Sequence, residues 1–159
     1  ILKGENPTIN DLKNHLSTVF TEIRLKQYIE IRSMDTCEWN CHCAAPAFYL
    51  GLLYGNLDEA LEVVSKWKIT EILNAYKEAP KTGLKTTLSN KTLLEWGKIF
   101  LELSKVGLEK RSIKNKNGKN ESEFLRTIES ILSNNKTKAE TSIEKFNKNK
   151  SLDFMYEKT

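Results

Sequence analysis

A strict alternation of apolar and polar residues between Glu22 and Asp35 most constrains how this chain can fold. The apolar members all have odd numbers: Ile23, Leu25, Ile29 and Ile31. The even positions carry long polar side chains instead: Glu22, Arg24, Lys26, Tyr28, Glu30 and Arg32. A two-residue period of this kind is typical of a β-strand with one buried face. We therefore predict a strand over residues 22–33 whose polar face carries charges of both signs.

A lone strand cannot satisfy its own backbone hydrogen-bonding groups, so it must pair with strands that this sequence hardly contains. The rest of the chain has helical spacing and helix-capping signals. Three helices are predicted over the ranges Asp11–Leu16, Ser122–Leu132 and Thr137–Phe146. For the others only a start is predicted, at Pro46, at Asn56, at Thr70 and at Ser89 or Asn90. Pro80 and Gly83 are predicted to end the helix that starts at Thr70. We predict an α+β chain, mostly helical over residues 43–150, with one or two strands that belong to a sheet completed elsewhere.

Composition and charge place the chain among ordinary globular proteins. Apolar residues make up 39% and charged residues 29% of the sequence. The net charge of +4 comes entirely from residues 101–159, largely from the segment Lys110–Asn120. That segment has no aromatic residue to stack on bases, so a solvated loop is favoured over a nucleic-acid site. The longest nearly apolar run, Ala44–Tyr54, is too short to cross a bilayer and predicts a buried helix.

Three cysteines lie close together, at Cys37, Cys41 and Cys43. An odd number at uneven spacing is a poor framework for intrachain disulfides. A zinc site could use these thiols with His42 or His15, but C-x3-C-x-C is not a usual structural zinc pattern. We therefore expect reduced cysteines packed at a helix start, which fits a cytoplasmic protein.

The charged face of the predicted strand has two interpretations. It can be a solvated face on which neighbouring charges pair weakly. Alternatively it lines a polar cavity, in which the carboxylate of Glu30 holds Mg²⁺ and the planar guanidinium of Arg32 neutralises a phosphoryl or carboxylate group. The residues alone leave both interpretations open.

Longer motifs add a family resemblance. The segment HLSTVFTEIRLKQYIEIRSMD, residues 15–35, resembles the pattern H-L-T-T-x-F-P-E-V-R-L-K-x-Y-L-E-x-R-x-x-D of plant and alphaproteobacterial glutamate–cysteine ligases. CAAPAFYLGLLY at residues 43–54, GLKT at 83–86 and GLEKR at 107–111 resemble further motifs of that family, and SLDFMYEKT at 151–159 loosely echoes its C-terminal end. The sequence departs from the family at Thr21 and Thr87, where proline is usual, and in the loop SMDTCEWN.

The resemblance implies an ATP-dependent ligase that joins the γ-carboxylate of glutamate to the amine of cysteine through γ-glutamyl phosphate, the first step of glutathione synthesis. It implies a glutamine-synthetase-like fold, in which residues 1–159 form the C-terminal portion of one catalytic domain. The N-terminal part of the enzyme would then be absent and this chain inactive alone. The implied small molecules are glutamate, cysteine and Mg-ATP, with no nucleic acid and no membrane. A homodimer stays open, and so does a plastid location in a plant-type eukaryote.

By the same resemblance, the site residues lie on the charged face. Glu30 would be a Mg²⁺ ligand. Arg32 would stabilise the transferring phosphoryl group or bind ATP. Arg24 and Lys26 would support substrate carboxylates or phosphate, with Lys26 also on the nucleotide, and Tyr28 would form a cavity wall.

Other residues receive structural expectations. His15 is expected to be structural, Lys85 matches a motif without a derivable role, and Trp39, Trp67 and Trp96 are expected in the core. The resemblance also implies that Cys43 matches a family cysteine whose disulfide partner lies outside this chain.

Two other functions compete with the ligase. A related carboxylate–amine ligase with a different acceptor would share the E-x-R strand signature. A helical interaction module that has lost catalysis would not need Glu30 or Arg32.

Overall fold

The computed structural model describes residues 4–35, 37 and 39–156. The chain divides into two compact units, residues 1–36 and residues 37–159. Positions 36 and 38 of the loop SMDTCEWN and the last three residues of the motif SLDFMYEKT lie outside the described residues. Helices predominate and the strands pair in two small antiparallel sheets, which confirms the predicted α+β, mostly helical class.

The first unit consists of a helix and a β-hairpin. Helix α1 (Ile9–Ser17) contains the predicted helix at Asp11–Leu16 and begins with a capping box. The backbone N–H of Thr8 donates to Asp11 Oδ2 at 2.7 Å, while Thr8 Oγ1 accepts from the Asp11 N–H at 3.2 Å. These two bonds satisfy donors that the first helical turn would otherwise leave free.

The predicted continuous strand over residues 22–33 is wrong, since this segment forms two short strands. Strands β1 (Ile23–Leu25) and β2 (Ile29–Ile31) are antiparallel, with Ile23 opposite Ile31 and Arg24 opposite Glu30. Folding back lets the backbone groups pair within the segment, which a lone strand cannot do.

The alternation nevertheless survives the turn. The apolar side chains share one face of the hairpin and the charged side chains share the other, because each apolar residue lies opposite an apolar one. The apolar face is not buried within the described chain: Ile23 is 61%, Leu25 82% and Ile29 65% exposed.

The described part of the second unit has helices joined by one small hairpin and an isolated antiparallel bridge between Lys114 and Asn120. Its elements are α2 (Ala44–Leu50), continued by a π-helical turn (Gly51–Gly55), α3 (Leu57–Val64), α4 (Ile69–Thr82), β3 (Thr87–Leu88), β4 (Lys91–Thr92), α5 (Leu93–Arg111), α6 (Arg126–Asn134) and α7 (Lys138–Asn149). Short 3₁₀ turns lie at Trp39–Cys41, Gly83–Lys85, Glu121–Leu125 and Asp153–Met155. The predicted helix over Ala44–Tyr54 is confirmed as α2 and its π-helical turn, but its burial is partial, since Leu53 is 41% and Tyr54 75% exposed.

Two predicted helix starts are wrong. The longest helix, α5, is capped by Thr92 in a capping box with Glu95, because Ser89 and Asn90 instead form the turn between β3 and β4. Helix α4 begins after Lys68 rather than Thr70, and it contains Pro80 before ending at Gly83. The predicted start of α7 at Thr137 is confirmed, again as a capping box.

The core of the second unit lies where α2, α5 and α6 meet. Its buried side chains form one cluster: Ala47, Leu101, Leu108, Leu125 and Leu132. Leu108 and Leu125 are fully buried. Burying a leucine contributes about 1.5–3 kcal/mol, so these positions dominate the packing of this unit.

A close backbone crossing joins the π-helical turn to α5. A Cβ atom added at Gly55 would lie 2.2 Å from the carbonyl oxygen of Gly107, and one added at Gly107 would lie 1.9 Å from that of Gly51. The Ser104 hydroxyl donates to the Phe48 carbonyl at 2.9 Å across the same contact. Only glycines permit the two backbones to approach this closely.

Two of the three tryptophans contribute to packing as expected. Trp67 and Trp96 lie edge to face with ring centroids 5.0 Å apart, and Phe100 joins them. The core expectation is wrong for Trp39, which is 84% exposed and lies beside the His42 ring. None of the described helices has the length and apolar character that a membrane crossing requires.

We predict that Gly107→Ala destabilises the chain by about 3 kcal/mol, because its methyl group would overlap the Gly51 carbonyl. Urea unfolding followed by circular dichroism measures this. Gly97→Ala in the same helix is the matched control, since both changes gain similar helix propensity. At Gly97 the nearest atom is Leu132 Cδ2, the end of a flexible side chain. Equal stability of the two variants would contradict the close crossing.

Candidate active site

The charged face of the first-unit hairpin brings together three of the predicted site residues. Arg24 on β1 lies directly opposite Glu30 on β2, and Arg32 follows β2 immediately. The Arg32 N–H donates to the Glu22 carbonyl at 2.8 Å, so the pairing continues past the strand ends. The sequence alternation therefore places these three side chains on one surface.

Glu30 is the centre of this group. Arg24 Nε and Nη2 both lie 2.7 Å from Glu30 Oε2, and Arg32 Nη1 lies 3.3 Å from Glu30 Oε1. Each carboxylate oxygen thus faces a different guanidinium. The side chains are 13% (Arg24), 29% (Glu30) and 30% (Arg32) exposed, so the group is partly shielded yet reachable from solvent. We call these three residues the Arg–Glu–Arg group.

Both arginines have a second contact that fixes their position. Arg24 Nη1 donates to the Ser17 carbonyl at the end of α1. The Arg32 guanidinium carbon lies 5.0 Å from the centre of the Phe20 ring, a cation–π distance. Sequence reasoning missed Ser17 and Phe20 as supporting residues, although both lie inside the 15–35 motif.

The surrounding cations favour the ionised form of Glu30. The hydrogen bond from Arg24 lowers the pKa of Glu30 below its usual value, and the charges of Arg24, Arg32 and Lys26 lower this pKa further against partial desolvation. An ionised carboxylate is the form that can order guanidinium groups or ligate a cation.

The remaining residues of the predicted face lie at the hairpin turn. The Lys26 N–H donates to the Tyr28 carbonyl at 2.9 Å, and both residues are exposed. Lys26 acts on Glu30 through its charge, whereas Tyr28 is 61% exposed. Within the described unit, Tyr28 therefore lines no enclosed cavity.

Two further motif residues have contacts of their own. His15 is exposed on α1, where its carbonyl accepts the Thr18 hydroxyl at 2.7 Å. Lys85 belongs to the second unit, is exposed, and contributes to the lowered pKa of Glu140, of which hydrogen bonds from Thr137 are the main cause.

The expectation of reduced cysteines is wrong for two of the three. Cys37 and Cys41 form a disulfide with a Cα–Cα distance of 6.0 Å, because the 3₁₀ turn brings residues four apart close together. Cys43 is free and exposed. Among the described residues, the cluster with metal-ligating side chains is Cys37, Cys41 and His42, and it does not include Glu30.

The fold and this geometry define a class: a mostly helical α+β protein whose hairpin carries two guanidinium groups held by one carboxylate. Comparison with known proteins specifies the family. Residues 3–152 match the profile of glutamate-cysteine ligase family 2, and the chain belongs to that family. The resemblance stated from the motifs is thereby confirmed.

Curated plant relatives agree with this assignment. The chain is 40% identical over 139 residues to glutamate–cysteine ligase A, chloroplastic, of Oryza sativa subsp. indica, covering 86% of this chain and 27% of the relative. It is 38% identical over 148 residues to the chloroplastic glutamate–cysteine ligase of Arabidopsis thaliana, covering 92% and 27%. The tomato (Solanum lycopersicum) enzyme is 37% identical over 145 residues, covering 90% and 27%. The chain thus spans about a quarter of the length of these relatives.

We predict that Arg24→Gln raises the pKa of Glu30, because it removes the hydrogen bond that is the largest cause of the lowered value. NMR titration of the Glu30 carboxyl carbon measures the change. Lys26→Gln is the matched control and should raise the pKa less, since Lys26 acts only through its charge.

The lowered pKa of Glu30 also makes the stability of the fold depend on pH. A folded-state pKa below the unfolded value stabilises the fold above the unfolded pKa, and this contribution is lost as the pH falls through the folded pKa. A larger pKa change in Lys26→Gln than in Arg24→Gln would contradict the observed geometry.

Proposed function

We propose that this chain forms part of an ATP-dependent ligase that joins the γ-carboxylate of glutamate to the amine of cysteine. The observation that carries the proposal is the Arg–Glu–Arg group, which lies inside the segment matched by the ligase family. Glutathione synthesis is the process in which this reaction would operate. The plant relatives are named as chloroplastic, which favours the plastid over the cytoplasm as its location.

The reaction has two steps that both need cationic support. A glutamate carboxylate oxygen attacks the γ-phosphorus of ATP, the bond to ADP breaks, and γ-glutamyl phosphate forms. The cysteine amine then attacks the acyl carbon, phosphate leaves, and the amine loses a proton. Negative charge spreads over phosphoryl oxygens in the first step, so positioned cations are expected to supply much of the catalysis.

Arg32 is proposed to hold the transferring phosphoryl group or ATP. Its contact with Glu30 is the longer one, 3.3 Å, and its side chain is more exposed than that of Arg24. Donors that Glu30 does not occupy can then face a ligand. The Phe20 ring beneath the guanidinium restricts its motion, which favours a fixed orientation.

Arg24 is proposed to support a substrate carboxylate or phosphate mainly through position and charge. Two of its nitrogens contact Glu30 and the third contacts the Ser17 carbonyl, so its geometry is strongly fixed. Lys26, exposed at the hairpin turn, is proposed to add a mobile positive charge for substrate carboxylate or nucleotide phosphate.

Glu30 fits a Mg²⁺ ligand in its chemistry. It is ionised, partly exposed and an oxygen donor, and the long Arg32 contact leaves Oε1 able to accept a further partner. Bound Mg²⁺ would neutralise and orient phosphate oxygens. Within the described residues Glu30 belongs to no group of three or more side chains that could hold a metal ion, so further ligands would come from phosphate, water or another part of the enzyme.

The exposed apolar face of the hairpin supports a larger catalytic unit. Ile23, Leu25 and Ile29 would pack against the remainder of an antiparallel, glutamine-synthetase-like sheet. We propose that residues 1–159 form the C-terminal portion of one catalytic domain and are inactive alone, in keeping with the quarter of the relatives' length that they span.

The test uses the complete natural protein that contains this chain, supplied with Mg-ATP and glutamate, with and without cysteine. We expect strong ADP release only with both amino acids, together with formation of γ-glutamylcysteine. ADP release with a different amine but not with cysteine would instead identify a related carboxylate–amine ligase. No release with any pairing would favour a non-catalytic helical module and overturn the proposal.

In that protein, we predict that Glu30→Gln lowers kcat by about 10²-fold or more and weakens the dependence on Mg²⁺, because it removes the charge that orders both arginines. Steady-state kinetics over a range of Mg²⁺ concentrations measure both effects. Glu62→Gln, which breaks an exposed surface pair with Lys66, is the matched control and should keep normal kinetics. A wild-type rate and Mg²⁺ response in Glu30→Gln would remove Glu30 from the site.

A further inference from the structure

We propose that Cys37, Cys41 and His42 form a zinc site when the Cys37–Cys41 disulfide is reduced. One ligand atom from each of the three residues lies within 4.8 Å of the other two. All three belong to the second unit and precede α2. The proposal does not depend on the ligase function, because none of these residues belongs to the Arg–Glu–Arg group.

The geometry matches the dimensions of a tetrahedral site. Zinc bonds of about 2.3 Å to sulfur and 2.0–2.1 Å to nitrogen place neighbouring ligand atoms about 3.5–3.8 Å apart. Cys37 Sγ and His42 Nδ1 already lie 3.9 Å apart. The two cysteine Cα atoms are separated by 6.0 Å, so side-chain rotation after reduction can separate the sulfur atoms without moving the backbone far.

The 3₁₀ turn brings together metal-ligating side chains that the cysteine spacing in the sequence does not indicate. C-x3-C-H places Cys41 and His42 side by side, and the 3₁₀ turn over Trp39–Cys41 returns the chain so that Cys37 meets both. The Trp39 ring lies 5.8 Å from the His42 ring and restricts where the imidazole can point. A compact turn thus replaces the usual pair of distant ligand motifs.

Burial and charge both suit zinc. Cys41 is buried, Cys37 is partly buried and His42 is exposed, so the site opens to solvent on the histidine side. Two thiolates and a neutral imidazole bring two negative charges, which balance Zn²⁺ in a partly shielded place. The open side leaves room for water as the fourth ligand. Sulfur and nitrogen ligands favour zinc over Mg²⁺, which prefers oxygen.

The disulfide and the metal site are alternatives. A dithiol reductant converts the disulfide into two thiols by exchange and is itself oxidised to its disulfide by the same two electrons. Zinc then binds the two sulfurs as thiolates and two protons are released. In the reverse direction, exchange with a small-molecule disulfide, which is itself reduced to two thiols by the same two electrons, would re-form the Cys37–Cys41 disulfide and release the metal.

The experiment titrates Zn²⁺ into the whole chain, reduced and then freed of reductant without air, against a chromophoric chelator. We expect one equivalent to bind to the reduced chain and none to the oxidised chain. Bound zinc should protect two of the three thiols from a thiol-reactive dye and leave Cys43 reactive. Co²⁺ in place of zinc should give the sulfur-to-metal charge-transfer absorption of thiolate ligands.

Matched variants separate a site from general thiol binding. His42→Ala, an exposed position, should weaken zinc binding at least about 100-fold, since loss of an outer-shell partner alone costs about 10–100-fold. Cys37→Ser should do the same. Cys43→Ser and His15→Ala should bind zinc as the wild type does, and circular dichroism checks the fold of each variant.

Two results would overturn the proposal. One is zinc binding by the reduced wild type that is no tighter than binding by His42→Ala. The other is an equal loss in Cys43→Ser, which would exclude the three-residue ligand set.

Discussion

The second unit depends on the contact between the π-helical turn Gly51–Gly55 and α5. Backbone atoms of the two elements are so close that no side chain fits at Gly55 or Gly107. Asn56 follows directly, is 3% exposed, and donates from its side chain to the Leu103 carbonyl at 3.2 Å. Lys110 Nζ donates to the Asn56 amide oxygen at 2.6 Å and pairs with Glu59 at 2.9 Å, which ties α3 to the same helix. These polar contacts therefore fix the alignment of the π-helical turn with α5 at which the glycines allow close approach. The leucine cluster packs in this alignment.

The hairpin of the first unit depends on a different constraint, namely the number of residues in its turn. Three residues separate β1 from β2, and with this number Ile23 meets Ile31 while Arg24 meets Glu30. Shifting the pairing of β2 with β1 by one residue would move every side chain of β2 to the opposite face of the hairpin. The Arg–Glu–Arg group thus exists because the alternation in the sequence and the turn length agree. Glu30 lies between two arginines, and the hydrogen bond from Arg24 is the main cause of its lowered pKa.

Periodicity and capping signals predicted much of this molecule from sequence. Thr137 and the α1 segment carry local hydrogen bonds that any such sequence would form, so their helices were foreseeable. The hairpin at residues 22–33 was not, because alternation is identical in one long strand and in two strands joined by an odd turn. The start of α5 was missed because Ser89 adopts a left-handed φ of 55° in a tight turn, leaving capping to Thr92. Motifs placed Arg24, Glu30 and Arg32 together, but the supporting contacts of Ser17 and Phe20 required the fold.

The apolar and charged faces of the hairpin differ in how much they can contribute to its stability. The stability of the site therefore depends on what packs against the apolar face. Three apolar side chains lie mostly in solvent, and burying each would contribute about 1.5–3 kcal/mol. An isolated two-stranded hairpin is only marginally stable in water. The surface ion pairs on the opposite face contribute little to that stability, typically about 0–1 kcal/mol each. The geometry of Arg24, Glu30 and Arg32 should therefore be held mainly by whatever covers Ile23, Leu25 and Ile29. In a ligase that cover would be further strands of the catalytic sheet, so assembly of the apolar face and preorganisation of the charged face would be one event.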